Sequence, residues 1–552
     1  MNRALFATAL VFASLAFAEP RYFELLDRAI ARIDAAAVKL TDAPDRHEYP
    51  GALLVAAVLY ARNHPQNPRA GDTRMLSLAL KLGDVLAEES ARGVYTRRGD
   101  HHRDTYMWLE AFRVLETRLG DARRARWRNQ LMKLVEGLAK ESAERADRPA
   151  YTSPFGVSVN HTALFSATVY LAGKMFGNHD WQDLGARIMH RYAAEEQAPD
   201  GYWGEHSRNG PTTGYNYLTV TGVALYWEHS QDPAALAALR RATDFHKYFT
   251  YPGGFPVMIT DDRRRHSYIS PWGHFGFSHF PDGRRYAELL TAAFDPATIS
   301  FEHAGRLAQD ALYYHGGSLA PIPQDSDTYA HRMSVPAGIR KNGPWVTTLS
   351  GIVATQNAAS RFYLDRQCSL EIYHRDLGVI VSGANSKRQP ELATFREQVR
   401  GRTYHMPLDS RLRMDDARDR LSLAYNTFIA DVEVDPPSGS ALPFRFVARR
   451  KGAMDAALTL QLVFRPGEEV ELGTRKRFVP GEERISEDAG SSIRNRGWRL
   501  SWNGAARLHW PVYPYNPYAD APETSIEHAV GALEFALSDS ARIEFRLEAG
   551  GR

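Results

Sequence analysis

Two short clusters hold the side chains of this 552-residue chain best suited to chemistry. Asn160-His161 offers an amide and an imidazole, both able to donate hydrogen bonds to an anion. Tyr215 stands 55 residues further on, after Asp200-Gly201-Tyr202-Trp203-Gly204-Glu205-His206-Ser207-Arg208 and Thr212-Thr213-Gly214. A phenol ordinarily titrates near about 10, so it is a poor base until cations or a helix N-terminus favour its phenolate. Once protonated, it can hand that proton to a leaving oxygen. Donors aimed at a developing anion stabilise it electrostatically. A second chemistry is also open, because Asp104 or Asp200 could pair with Glu205. Two carboxyl groups about 5–9.5 Å apart hydrolyse glycosidic bonds.

Such residues need elements that bring them together. Up to about residue 315 the apolar spacing is helical: Met75, Ala79, Leu82 and Leu86 form one stripe, and Trp108, Phe112, Leu115 and Leu119 another. Leu164, Ala167, Leu171 and Met175, then Tyr217, Val220, Ala224 and Trp227, continue the pattern. Helices are expected to start near Gly51, Arg103, Asn160 and Thr213, with another helix between each neighbouring pair. Those steps of 52, 57 and 53 residues define a repeat of helical hairpins. Hairpins that cannot bury their own apolar faces must stack, into an open solenoid or a closed α/α toroid. In a toroid alternate helices run parallel around an inner ring and share one rim. The polar segments Asp45-Arg46-His47-Glu48-Tyr49 and Arg97 to Asp104 would then join Asn160-His161 and Tyr215 there. Helix N-termini carry positive partial charge, which suits an anionic ligand.

After about Gly343 the texture becomes β-rich, in Ser369–Ile372, Gly378–Ser382, Leu421–Phe428, Phe444–Ala448, Leu458–Phe464 and Arg542–Leu547. Short strands separated by Gly, Pro, Asn and Asp predict an antiparallel β-sandwich. The expected order is a leader over 1–18, an α/α toroid over 19–320, a linker over 321–342 and the sandwich over 343–552. Pro321, Pro323 and Pro336 disfavour helix in that linker.

In these features the chain resembles the heparinase II/III-like and alginate-lyase-like polysaccharide lyases. There an Asn-His pair opens one inner helix and an Asp-Gly…Glu…Tyr segment opens the next. Here the matching residues are Asn160-His161, Asp200-Gly201, Glu205 and Tyr215, with Gly222 inside the following helix. The resemblance implies β-elimination on a uronic-acid polysaccharide or oligosaccharide, the acidic partner of this protein. Asn160 and His161 would neutralise the uronate carboxylate, and Tyr215 would act as base and then acid. It also implies that the sandwich supplies a His or Tyr to the cleft. His374 and His331 are both candidates, with Tyr373 a third. His102, Arg103 and Trp203 are expected to hold the sugar chain. Glu205, His206, Arg208 and Tyr217 would join them. Two other readings remain: a toroid glycoside hydrolase using the paired carboxylates, and a non-catalytic glycan-binding protein that stacks sugars on Trp203, Trp272 and Tyr217.

Composition narrows the partners. Sixty-eight Lys and Arg against 65 Asp and Glu leave a net charge of +3, so no basic excess points to nucleic acid. Arg3, the apolar run Ala4 to Ala18 and its Ala-Phe-Ala ending read as a secretory signal, placing the mature chain in the periplasm or outside the cell. No later stretch is apolar enough to span a bilayer. The single Cys368 leaves no intramolecular disulfide. No nucleotide fingerprint follows a predicted strand, so no cofactor is expected. A structural metal ion is left open, the groupings His101-His102 and His274…His279 being the available ligands.

Overall fold

The computed structural model describes residues 20–37, 49–95, 101–146, 159–204, 210–260, 268–353, 368–384, 389–451, 455–516, 524–537 and 540–550. The leader expected over 1–18 lies outside the described residues. The described N-terminal part is helical: α1 (Tyr22–Ala37), α2 (Tyr49–Ala61), α3 (Thr73–Ala91), α4 (His101–Leu115), α5 (Asp121–Arg145) and α6 (Val159–Phe176). It continues through α7 (His179–Arg191), α8 (Thr213–Ser230), α9 (Pro233–Tyr248), α10 (His274–Phe277), α11 (Pro281–Ala292) and α12 (Phe301–Tyr313). The helix starts expected near Gly51, Arg103, Asn160 and Thr213 all fall within two residues of these.

The ring closes. Each even-numbered helix packs on the next, from α2 to α12, and α12 packs back on α2. The odd-numbered helices form the outer layer, α1 lying against α12. Inner helices are enclosed on every side: in α2 each residue from Tyr49 to Leu59 is buried, and in α8 each from Asn216 to Tyr226. The outer α3 buries one stripe, which includes Met75, Ala79, Leu82 and Leu86. Glycine makes the closing joint. A Cβ on Gly51 would stand 2.4 Å from the Phe301 carbonyl oxygen, and one on Gly305 would stand 2.4 Å from the Gly51 Cα. Helices α2 and α12 therefore meet backbone to backbone.

The sheet begins earlier than residue 343. Strands β1 (Thr328–Arg332) and β2 (Ala337–Asn342) occupy the expected linker, and β3 (Trp345–Ser350), β4 (Leu370–His374) and β5 (Gly378–Ser382) follow. Pro336, read as a helix breaker, stands in the tight connection between β1 and β2, which pair antiparallel with His331 opposite Ile339. The remaining strands continue the antiparallel pairing to Ser540–Ala549. One expected strand, Leu421–Phe428, runs from the end of one strand through a turn into the next: Asp419–Ala424 pairs with Phe428–Val434.

The β1–β5 layer is covered on both faces, which is why every residue of β3 is buried. One face carries Val346, Ile339 and Tyr373 against Phe245, Phe249 and Tyr251 of the toroid. The other carries Trp345, Leu349 and Ile372 into the core of the sandwich.

Candidate active site

The site is built where α6 and α8 begin. The two helices are joined by the outer α7, whose Gly185 lies against Ser166 and Tyr170 of α6, while Gly173 of α6 meets Asn178 and Gln182. That antiparallel hairpin, followed by another, makes α6 and α8 parallel. They touch at Gly222, where an added Cβ would stand 2.7 Å from the Ala163 carbonyl carbon. Counting back at about 1.5 Å per residue, Tyr215 lies about 6 Å nearer the rim than Asn160. Asn160 is buried, whereas His161 and Tyr215 are partly exposed. The His161 ring lies 5.6 Å from that of Phe165, one turn on.

A polar clip fixes the start of α8. Asn216 accepts from the Trp203 N–H at 2.8 Å and donates to the carbonyls of Trp203 at 3.0 Å and Thr212 at 3.2 Å. Gly204 also bridges Pro211, so the chain leaves and returns beside the first turn of α8. Glu205, His206 and Arg208 lie outside the described residues. His102 and Arg103 open α4, but their side chains likewise lie outside the described residues. Asn216 is not among the residues expected from sequence. Its signal is present there, since an asparagine one residue past Tyr215 sits inside a helix that otherwise has little use for one.

Two expected platforms are corrected. Trp203 is 1% exposed and donates its indole N–H to the Tyr192 carbonyl at 2.9 Å. Tyr217 is also buried, its hydroxyl 2.5 Å from that of Tyr286, which in turn lies 2.8 Å from the Thr250 hydroxyl. Burial pushes the Tyr217 phenol up to about 12, its hydroxyl partners only partly offsetting this. Trp272 lies in the core beneath the guanidinium of Arg306. A ring inside the wall cannot stack on a sugar, so the glycan-binding reading loses all three of its platforms.

Strand alternation sorts the sandwich candidates. On β4 the side chains of Glu371 and Tyr373 face the toroid, while Leu370, Ile372 and His374 face the opposite way. His374 packs edge-on against Trp345, 4.6 Å between centroids, and its Nδ1 accepts from the Asp376 N–H at 3.2 Å. It is therefore turned away from the toroid, and the expectation that it enters the cleft is corrected. His331 does face the toroid, stacked on Tyr248 at 4.1 Å and 6°. Burial lowers its pKa against the pull of Asp200 and Asp244. Tyr373 is stacked on Tyr251 at 4.4 Å. Both pack between the layers.

The residue that sequence reasoning missed is Glu371. It is fully buried and accepts hydrogen bonds from the Tyr251 hydroxyl, the Met258 N–H at 3.1 Å and the Gly383 N–H at 2.9 Å. Beyond Met258, the Thr260 hydroxyl lies 3.1 Å from that of Thr213, the first residue of α8. Glu371 thereby couples the sheet to the rim that carries Tyr215. Asp200 makes a comparable tie, accepting from the Ser334 N–H at 2.8 Å and hydroxyl at 2.5 Å and so joining the toroid to the β1–β2 turn. Asp104 is buried on α4.

No protein-family model and no curated protein matches the chain. Solved structures do. Heparinase III superimposes with a TM-score of 0.52 at 11% identity, over 91% of this chain and 76% of that one. A variant of the chondroitin AC lyase of Streptomyces coelicolor A3 gives 0.51 at 12% identity, over 100% and 81%. A variant of the heparan sulfate lyase of Pedobacter heparinus gives 0.50 at 9%, over 93% and 78%. The chain has the toroid-and-sandwich fold of polysaccharide lyases.

In this lyase fold the far end of the toroid is sealed. Tyr313 of α12 donates to Glu110 of α4 at 2.5 Å and accepts from Arg113 at 3.0 Å. His229 of α8 completes the group, its Nε2 donating to the Tyr313 hydroxyl at 2.9 Å. Three alternate members of the inner ring meet here, so the network crosses the axis. Among the described residues no helix is long and apolar enough to cross a membrane.

Proposed function

We propose that this protein is an exported polysaccharide lyase that cleaves a uronic-acid-containing glycan by β-elimination. Proton removal beside a carboxylate builds charge on a group already negative, so the first requirement is to neutralise that carboxylate. Asn160 and His161 serve as its hydrogen-bond donors at the start of α6, where the helix N-terminus adds favourable potential. Tyr215, about one turn nearer the rim on the adjacent helix, removes the proton as phenolate and returns it to the glycosidic oxygen as phenol. His331 and Tyr373 are the sandwich candidates that face the toroid. The packing of α6 against α8 at Gly222, in a lyase-type toroid, carries the reading. The signal-like run Ala4 to Ala18 supports export to the periplasm or beyond.

A screen of acidic polysaccharides tests it. Elimination leaves an unsaturated uronate, so ultraviolet absorbance should rise with at least one polymer. New reducing ends without absorbance would mean hydrolysis, and binding without either would mean a non-catalytic protein.

A further inference from the structure

Glu228, His279 and His315 come together from three parts of the ring, at the end opposite the candidate active site. Glu228 lies in the last turn of α8, 13 residues beyond Tyr215, or about 20 Å along the helix. His279 follows α10, and His315 follows α12. His315 Nε2 donates to Glu228 Oε1 at 2.7 Å, and His279 Nε2 stands 3.3 Å from the same oxygen. One donor atom from each of the three residues lies within 4.8 Å of the others. The His279 side chain is 8% exposed, yet its Nε2 makes no aligned hydrogen bond. A buried imidazole nitrogen held 3.3 Å from a carboxylate but poorly aligned with it suits a ligand shared by the two.

We propose that these residues form a zinc-class divalent cation site that clips α8 to the segments after α10 and α12. Two imidazoles and a carboxylate are a donor set suited to zinc. Zinc–ligand bonds of about 2.0–2.2 Å place neighbouring donors about 3.3 Å apart, so Glu228 and His279 already have the needed separation. His315 is half-exposed and leaves one side open to water as a fourth ligand. The scaffold behind the ligands is built. The His315 N–H donates to the Ser278 hydroxyl at 3.0 Å, next to His279. Arg284 reaches the carbonyls of Ser278 and Ser318, each at 2.8 Å, and so holds both histidine-bearing segments. Of the groupings noted in sequence, His279 joins this site and His274 does not. The latter donates to the Ser270 carbonyl at 2.7 Å.

The test titrates zinc chloride into chelator-stripped, untagged protein, followed by calorimetry and thermal melts. The wild type should take up one equivalent and melt higher once loaded. His315→Ala and Glu228→Gln should lose that uptake by more than the about 10–100-fold that outer-shell changes cost. The stripped melt of His315→Ala should match that of the stripped wild type, since the side chain is half-exposed. No tight equivalent in the wild type, or an equivalent that survives both substitutions, overturns the proposal.

Discussion

At the C-terminal end of the inner ring, Glu110, Arg113, His229 and Tyr313 saturate one another across the axis. At the N-terminal end, Asn160, His161 and Tyr215 stand on two neighbouring helices, the last two partly exposed. Both ends are rich in polar groups, but around the axis those at the first end pair with one another, while the second presents helix N-termini. The asymmetry follows from helix polarity. Carbonyl ends favour the cations Arg113 and Lys174 placed there, and N–H ends favour an anion from outside. Residue type alone does not separate the two ends. The tyrosine at the sealed end, Tyr313, is a bridge, and the one at the other end, Tyr215, is the residue we propose for proton transfer.

Substitutions break this contrast in order of expected size. Tyr215→Phe should lower kcat by about 10³–10⁴-fold, because the proposed proton carrier is lost, with a far smaller effect on the melting temperature. Steady-state kinetics beside a thermal melt checks both halves. Asn160→Ala should cost about 10²–10³-fold in kcat with a smaller change in KM, since a donor to the developing anion is removed. Gly222→Ala drives a Cβ into the Ala163 backbone and should lower stability by about 1–3 kcal/mol in denaturant titration, with activity falling as α6 and α8 part.

Tyr313→Phe sharpens the contrast from the other end. It removes the hub of the seal and takes one donor from the buried Glu110, which keeps Arg113, so stability should fall by about 1–3 kcal/mol while kcat at low temperature stays within about twofold. The last effect appears only at acid pH. His246, packed on Tyr217 and fully buried, is held neutral down to about 3 by burial alone, against an ordinary value of 6.5. Below 6.5 the unfolded chain takes the proton first, so stability contributed by the neutral ring is complete above 6.5 and declines as pH falls toward 3. His246→Leu should flatten the acid side of the stability profile. An unchanged slope would mean that this ring does not matter to acid unfolding.

Much of the fold was legible because its signals are local. Periodicity and repeat length put helix starts near Gly51, Arg103, Asn160 and Thr213, within two residues of those observed. Closure was not legible, since it depends on the Gly51–Gly305 contact between residues distant in sequence. Leu421–Phe428 misled because Leu, Ala, Tyr and Phe continue through the turn, so apolar texture did not mark the reversal. The same limit explains Trp203 and Tyr217. Their types suit sugar stacking, but only the tertiary wall shows them facing inward. For His374 the alternation along β4 was readable, yet which face met the toroid was not. Glu371 went unnoticed for that reason too, since donors from the loop after α9 and from just beyond β5 meet it only in the folded chain.

The most direct measurement of the central claim is the mass of the products from a uronate polymer that the wild-type protein degrades. Elimination predicts that each new non-reducing end is lighter by one water than a hydrolytic end, and that Tyr215→Phe yields no such ends. Products that carry the full mass of added water, or unsaturated ends formed equally well by Tyr215→Phe, would contradict the account.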